Sequence, residues 1–220
     1  MTAYLLGNFI FIIAWVVLYF VRPKTRKLQI FGSLLLLPFA LLDIWFRPNY
    51  WHPPLLIRAI EPLSIETFLY CFTAGGIAIV FGDIFLKKAR NFEIKWPKII
   101  YFLIAGFALY FIVRVIFALP EMNNLNLSFL LIWLVLIGWD YKNIKTNYKS
   151  IFPGLIFAAF TIVAINLGAA FYPGFVEKYW NLQNMWPLFL NTPSEEIFFA
   201  GILGALWAIL PQYLIKKQEF

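Results

Sequence analysis

The sequence predicts an all-α integral membrane protein with seven transmembrane helices. Two parallel three-helix repeats are joined by helix 4, the N-terminus is outside and the C-terminus is cytoplasmic. Three observations carry this expectation: a composition too apolar for an aqueous core, basic residues gathered between alternate apolar runs, and an acidic motif that occurs twice in corresponding places.

The 220 residues are 62% hydrophobic and only 13% charged, where a soluble domain carries about 25% charged residues. With a mean hydropathy of +0.78, the bilayer must be the solvent for most of the chain. The single cysteine, Cys71, allows no intrachain disulfide, and the single histidine, His52, argues against a metal site built on several imidazoles. No metal is expected. No Gly-x-Gly-x-x-Gly follows a strand, so a flavin or nicotinamide domain is not supported and no cofactor is expected.

Seven apolar stretches cover 3–21, 28–46, 62–86, 99–118, 125–139, 151–172 and 193–215. A spanning helix needs about 20 residues. The first stretch lacks a basic leader and runs long enough to span, so it reads as a retained helix rather than a cleavable signal. The fifth is cut short by Trp139-Asp140 and is expected to borrow Asn124 or Asn126 at its start.

Charge placement sets the expected orientation. Arg22, Lys24, Arg26 and Lys27 follow the first span; Lys87, Lys88, Arg90, Lys95 and Lys98 follow the third. Lys142, Lys145 and Lys149 follow the fifth, and Lys216 and Lys217 the seventh. These are fourteen of the 18 Lys and Arg, whereas Arg47, Arg58 and Lys178 lie on the other side. The positive-inside rule therefore makes the basic side cytoplasmic. The net charge of +7 reports topology, and no nucleic-acid partner is expected. A prokaryotic plasma membrane is the expected location.

The first repeat spans 1–90, the linking helix 98–120 and the second repeat 124–217. Each repeat has a basic loop and a helix with one polar residue near its outer end, Asp43 or Asn166. An aromatic outer loop follows, then an acidic helix. Trp45, Tyr50 and Trp51 precede the first acidic motif, and Tyr172, Tyr179, Trp180 and Trp186 precede the second. Such aromatics settle at the headgroup level. Gly75, Gly76, Gly201 and Gly204 permit close helix approach. Arg114 lies inside the fourth span and must pair with a carboxylate or reach outward, while Asp83 is expected to meet water or Lys87.

The motifs hold the chemistry. In the second, Thr192, Pro193 and Glu195 form a capping-box pattern, so Glu195 can serve simply to satisfy backbone donors. Glu196 is turned about 100° from it and cannot share that task. Two adjacent carboxylates in a poorly hydrated place keep one proton between them, which is what acid–base chemistry needs. The first motif opens at Ser64 or at Glu61-Pro62, and Thr67 stands where a second acid would be.

Ser64-Ile65-Glu66-Thr67-Phe68-Leu69-Tyr70 and Pro193-Ser194-Glu195-Glu196-Ile197-Phe198-Phe199 resemble the Pro-x-Glu-Glu-x-x-Phe motifs of the small membrane lycopene cyclases. These are heterodimeric in bacteria and fused in archaea and fungi. The likeness covers nearly the whole chain, with two departures: Ser64 for proline and Thr67 for the second glutamate. It implies cofactor-free acid–base cyclisation of a linear carotenoid end group to an ionone ring, an isomerase activity. Glu66, Glu195 and Glu196 become the catalytic candidates, with Glu196 or Glu66 as acid and Glu195 as its partner or base. Phe68, Tyr70, Phe198 and Phe199 would face the carbocation, and cation–π attraction would stabilise it. Asp43 and Asn166 would complete the polar part of the substrate site. Implied partners are a carotenoid or other polyene and membrane lipid, and a homo-oligomer stays open. The departure at Thr67 keeps a second reading alongside, a non-catalytic polyene- or lipid-binding protein of the same fold. A retinal photoreceptor is disfavoured because the last span has no lysine before Lys216. A transporter is disfavoured because the motifs lie near the outer interface rather than the midplane.

Overall fold

A computed structural model of the chain describes residues 3–52, 58–60, 63–86, 92–140, 144–182 and 186–217. Glu61, Pro62, Lys87, Lys88, Arg90 and Lys142, all used in the sequence reading, lie outside the described residues.

Helix α1 (Ala3–Val21) opens the chain, and a short 3-10 turn at Pro23–Thr25 leads into α2 (Arg26–Leu36). Pro38 has no N–H to donate and its ring crowds the preceding turn, so α2 does not continue as one α-helix. Residues Leu37–Leu42 tighten into a 3-10 stretch before α3 (Asp43–Asn49). Strands β1 (Arg58–Ile60) and β2 (Leu63–Ser64) then pair antiparallel just ahead of α4 (Ile65–Leu86). Ser64 starts α4 as a cap, its hydroxyl accepting the Thr67 N–H at 3.1 Å.

Strand β3 (Phe92–Ile94) leads to α5 (Trp96–Phe117), which carries Pro97 in its first turn, where proline's missing donor costs nothing. Next come α6 (Glu121–Trp139), α7 (Ile144–Tyr148), α8 (Ile151–Phe171) and α9 (Phe175–Tyr179). Hairpin β4 (Leu188–Phe189) and β5 (Thr192–Pro193) precedes α10 (Ser194–Ile209), α11 (Pro211–Leu214) and β6 (Ile215–Lys217). Strand β6 pairs with β3, tying the end of the chain to the α4–α5 connection.

Six of these helical segments are long and apolar enough to cross a membrane: Pro23–Arg47, Ile65–Leu86, Trp96–Phe117, Glu121–Trp139, Ile151–Phe171 and Ser194–Leu214. A shorter apolar helix runs over Leu6–Val21. The flanks of α5 and α6 turn Val115, Ile116 and Val135 outward, as a lipid-facing surface requires. The chain is an all-α membrane protein whose few strands are short loop pairings.

Helices α4 and α10 form the centre. Close backbone approach joins α2 to α4 and α8 to α10. A Cβ on Gly75 would lie 2.4 Å from the Gly32 carbonyl oxygen, and one on Gly154 would lie 2.4 Å from that of Gly201. Small residues at such crossings let helices associate through backbone packing in lipid. Two indole bonds repeat the same relation: Trp15 Nε1 donates to Ser33 Oγ at 2.9 Å, and Trp133 Nε1 to Ser150 Oγ at 3.0 Å. Trp207, wholly buried, donates to the Gly32 carbonyl at 3.2 Å and holds α10 against α2.

Arg114 finds its partner across the tight turn that Ala118 makes at φ 46°. Its guanidinium Nη2 lies 3.0 Å from Glu121, whose carboxylate also accepts the Tyr110 hydroxyl at 2.6 Å. This clamp pins α5 to α6. Asp83 pairs with Arg22 at 3.4 Å.

The glycine crossings yield a direct expectation. Gly75→Val and Gly154→Val each lower stability by about 2 kcal/mol, because overpacking a filled contact costs about 1–3 kcal/mol. Gly138→Ala, at a site with nothing within 4 Å, leaves the melting temperature in detergent unchanged or slightly raised. Differential scanning fluorimetry of the purified variants checks this.

Candidate active site

The α2–α3 break has a consequence for the interior. Its 3-10 turn delivers Asp43 to the wall of a cavity lined by α1, α2–α3, α4, α6, α8, α9 and α10. The cavity holds about 150 Å³, the size of void that admits a benzene-sized guest. Its wall is mostly aromatic and aliphatic, including Phe11, Phe39, Phe46, Phe129 and Phe175. Two carboxyl groups line it, Asp43 from the first half of the chain and Glu196 from the second.

Asp43 is held on several sides. The Arg47 guanidinium, one helical turn on, meets its Oδ2 at 2.8 Å, and the Thr67 hydroxyl donates to the same oxygen at 2.8 Å. The Trp51 indole adds a further hydrogen bond. Thr67 is itself placed by Ser64, its hydroxyl lying 2.9 Å from the Ser64 hydroxyl. Burying a charge is tolerated when it is paired and hydrogen-bonded in this way.

Glu196 has a different setting. The Trp180 indole N–H points at its Oε1 from 3.4 Å, and the Tyr50 hydroxyl stands beside its carboxyl. Among the described residues Glu196 forms no ion pair. Burial pushes the Tyr50 hydroxyl well above its ordinary pKa, and the Glu196 and Glu195 carboxylates push it the same way. Tyr50 therefore stays a neutral donor.

The two long loops join over this cavity. Trp51 and Trp180 form an isolated antiparallel bridge, flanked by His52 N–H to Tyr179 C=O at 2.8 Å and Asn181 N–H to Tyr50 C=O at 2.9 Å. The Trp51 and Trp180 rings lie 5.4 Å apart. One indole attends Asp43 and the other Glu196, so the two carboxyls sit below a common roof. Tyr50, Trp51 and Trp180, read in the sequence as headgroup-level aromatics, also line the cavity.

The remaining sequence candidates divide by helical phase. Tyr70 and Phe199 line the cavity. Glu66 is buried, but Thr67 rather than Glu66 presents to the cavity wall, as their 100° separation around α4 dictates. Glu195 likewise turns away from it. Its Oε1 accepts the Trp186 N–H, its backbone carbonyl accepts Asn126 Nδ2 at 3.1 Å, and its Oε2 is buried without a hydrogen-bond partner among the described residues. Phe68 packs against the core, and Phe198 is partly exposed beside Trp186. Asn166 ties the β4–β5 hairpin to α8, donating to the Leu190 carbonyl at 2.7 Å and to Thr192 Oγ1 at 3.1 Å.

The expected capping box does not form. Leu190 and Asn191 make a tight hairpin turn with φ of 49° and 54°, which draws Thr192 and Pro193 into β5. The helix therefore begins at Ser194, with no side-chain cap from Pro193. The Thr192 hydroxyl turns back to the Leu190 carbonyl instead.

Among the described residues, no group of three or more His, Cys, Asp or Glu side chains comes close enough to hold a metal ion. No family model, curated protein or solved structure matches the chain.

The contrast between two ion pairs is testable. Arg47→Leu, which leaves the buried Asp43 without its cation, lowers stability by about 3 kcal/mol. Arg22→Ala breaks the partly exposed pair with Asp83 and costs about 1 kcal/mol or less. Thermal unfolding of the two purified variants in one detergent measures the difference.

Proposed function

We propose that the protein is a cofactor-free carotenoid cyclase that closes an ionone ring on a lycopene-type end group within the membrane. One observation carries the reading: two carboxyl groups on the wall of a single apolar, aromatic cavity. Cyclisation needs a proton added to the terminal double bond, ring closure through a tertiary carbocation, and loss of another proton. A protonated carboxyl supplies the first and a carboxylate accepts the last. Aromatic faces such as Phe129, Tyr70 and Phe199 attract the cation that forms between them. A cavity of about 150 Å³ suits one six-membered ring, not a whole carotenoid, so the polyene chain would extend from it.

Glu196 is the acid in this reading, because it is the motif glutamate on the cavity wall. Glu66 is buried in the first turn of α4, and Glu195 holds the segment before α10 through the Trp186 N–H. The parallel repeat has support of its own, and the shorter apolar helix Leu6–Val21 would be the seventh span beside the six longer ones. The Trp15–Ser33 and Trp133–Ser150 bonds match in type and differ by one residue in spacing, 18 against 17, and the glycine crossings of α2 with α4 and α8 with α10 match likewise. An outside N-terminus and a cytoplasmic C-terminus rest on the distribution of Lys and Arg. The second reading, a polyene-binding protein that does not react, draws on Thr67 in place of an acid and on Glu66 and Glu195 standing off the cavity wall.

Expression in a lycopene-accumulating bacterium tests both. The unaltered chain yields cyclised pigment on chromatography, and Glu196→Gln lowers the yield about 100-fold, the scale of one general acid. Lycopene copurifying unchanged with correctly inserted protein would favour the binding protein.

A further inference from the structure

We propose that Asp43 is the base of the ring closure and occupies the functional place that Thr67 leaves without a carboxyl; the inference rests on the cyclase reading. Three observations lead to it.

The first is register. Ser64-Ile65-Glu66-Thr67 runs parallel to Pro193-Ser194-Glu195-Glu196, so Thr67 holds in α4 the place that Glu196 holds in α10. Both line the cavity. The second is the bond from Thr67 to Asp43. The hydroxyl donates to Asp43 Oδ2 at 2.8 Å, so the position lacking its own acid is joined by one hydrogen bond to a carboxylate from the neighbouring helix segment. Ser64 at 2.9 Å fixes the Thr67 hydroxyl.

The third is the division of charge. Among the described residues Asp43 has a cation against it, Arg47 at 2.8 Å, and Glu196 has none. Glu196 meets neutral partners, the Trp180 indole and the Tyr50 hydroxyl. A guanidinium favours the charged form of a carboxyl far more than neutral donors do, so in this reading Asp43 is the carboxylate and Glu196 the acid. The acid and the base are assigned by Arg47.

The step balances. The Glu196 O–H bond breaks as its proton forms a C–H bond on the terminal double bond of the polyene, leaving a tertiary cation. The next double bond attacks that cation, forming the ring's carbon–carbon bond and moving the charge to a ring carbon. Asp43 takes a proton from the carbon beside that charge, and the electrons of the broken C–H bond become the ring double bond. Nothing is oxidised or reduced. Release of that proton from Asp43 and uptake of one by Glu196 restores the starting state.

The lycopene-accumulating host tests the assignment, with membrane level and melting temperature recorded for every variant. Asp43→Asn is expected to lower cyclised pigment about 100-fold, and Asp43→Glu to retain part of it. The double variant Asp43→Asn/Thr67→Glu is expected to regain product, because it returns a carboxyl to the α4 position. Residual product in Asp43→Asn shifts in the position of its ring double bond, a change that a purely structural role would not cause. If the unaltered chain cyclises lycopene while Asp43→Asn, inserted at normal level, keeps more than half the conversion, Asp43 is not the base and the cyclase reading stands. If Asp43→Asn fails to insert, the stably inserted Asp43→Asn/Thr67→Glu protein decides: product from it supports the proposal, and none overturns it. An unaltered, inserted chain that leaves lycopene uncyclised overturns the cyclase reading and this assignment together.

Discussion

A carboxylate buried in an apolar interior must be answered by the protein, because no bulk water reaches it. Asp43 is that carboxylate here, and much of the surrounding geometry follows from satisfying it. Arg47 must follow by one helical turn, which requires α3 to be helical there. The chain must first break its regular helix to aim Asp43 inward, which the 3-10 stretch after Pro38 accomplishes. Thr67 must present a hydroxyl from α4, and Ser64 both caps that helix and orients the hydroxyl. A local helix start, a proline break and a buried ion pair are thus parts of one solution.

The glycine crossings and the loop bridge do complementary work. Gly32 against Gly75 and Gly154 against Gly201 bring backbones close enough that α4 and α10 form the centre of the bundle. The first turns of these two helices then present Thr67 and Glu196 to the same space. The Trp51–Trp180 bridge sets the roof over them. Neither half encloses the cavity alone: Asp43 and Thr67 come from the first, Glu196 and Trp180 from the second. The cavity lies where the two halves of the chain meet, and each half contributes one carboxyl to its wall.

Much of the helical layout was legible because hydropathy and length decide it. Residues 3–21 and 151–171 were readable almost to their ends, and the fifth apolar stretch, helix Glu121–Trp139, did extend backward past Asn124. The face that each motif residue presents was not legible. Glu66 and Glu195 stand out in the sequence as acids opening apolar runs, yet the helical phase that turns them from the cavity depends on where α4 and α10 begin. That start is set by the β2 and β5 pairings, which no periodicity announces. The same hairpin consumed Thr192 and dissolved the expected capping box. Tyr50, Trp51 and Trp180 carried an ordinary signal for interfacial aromatics; only the pairing of two loops more than a hundred residues apart makes them cavity walls. Glu121 drew no notice, although its seven-residue distance from Arg114 across Pro120 was the available clue.

The difference between the two carboxyls bears most on what the cavity can do. Two acids in identical settings would compete for one proton without a fixed direction, and a polyene entering between them would meet donor and acceptor at random. Here the surroundings differ: a guanidinium and a hydroxyl at Asp43, an indole and a phenol at Glu196. Neutral donors stabilise a carboxylate far less than a cation does in a medium that screens little. Under the cyclase reading this asymmetry would give direction to proton movement, and it follows from one salt bridge between residues four apart. In the proposed cyclisation the guest adds only a diffuse positive charge between two carboxyls, which the surrounding phenylalanines can face without hydrogen bonds. Under that reading a mostly apolar wall with two carboxyls in unequal surroundings suits hydrocarbon chemistry.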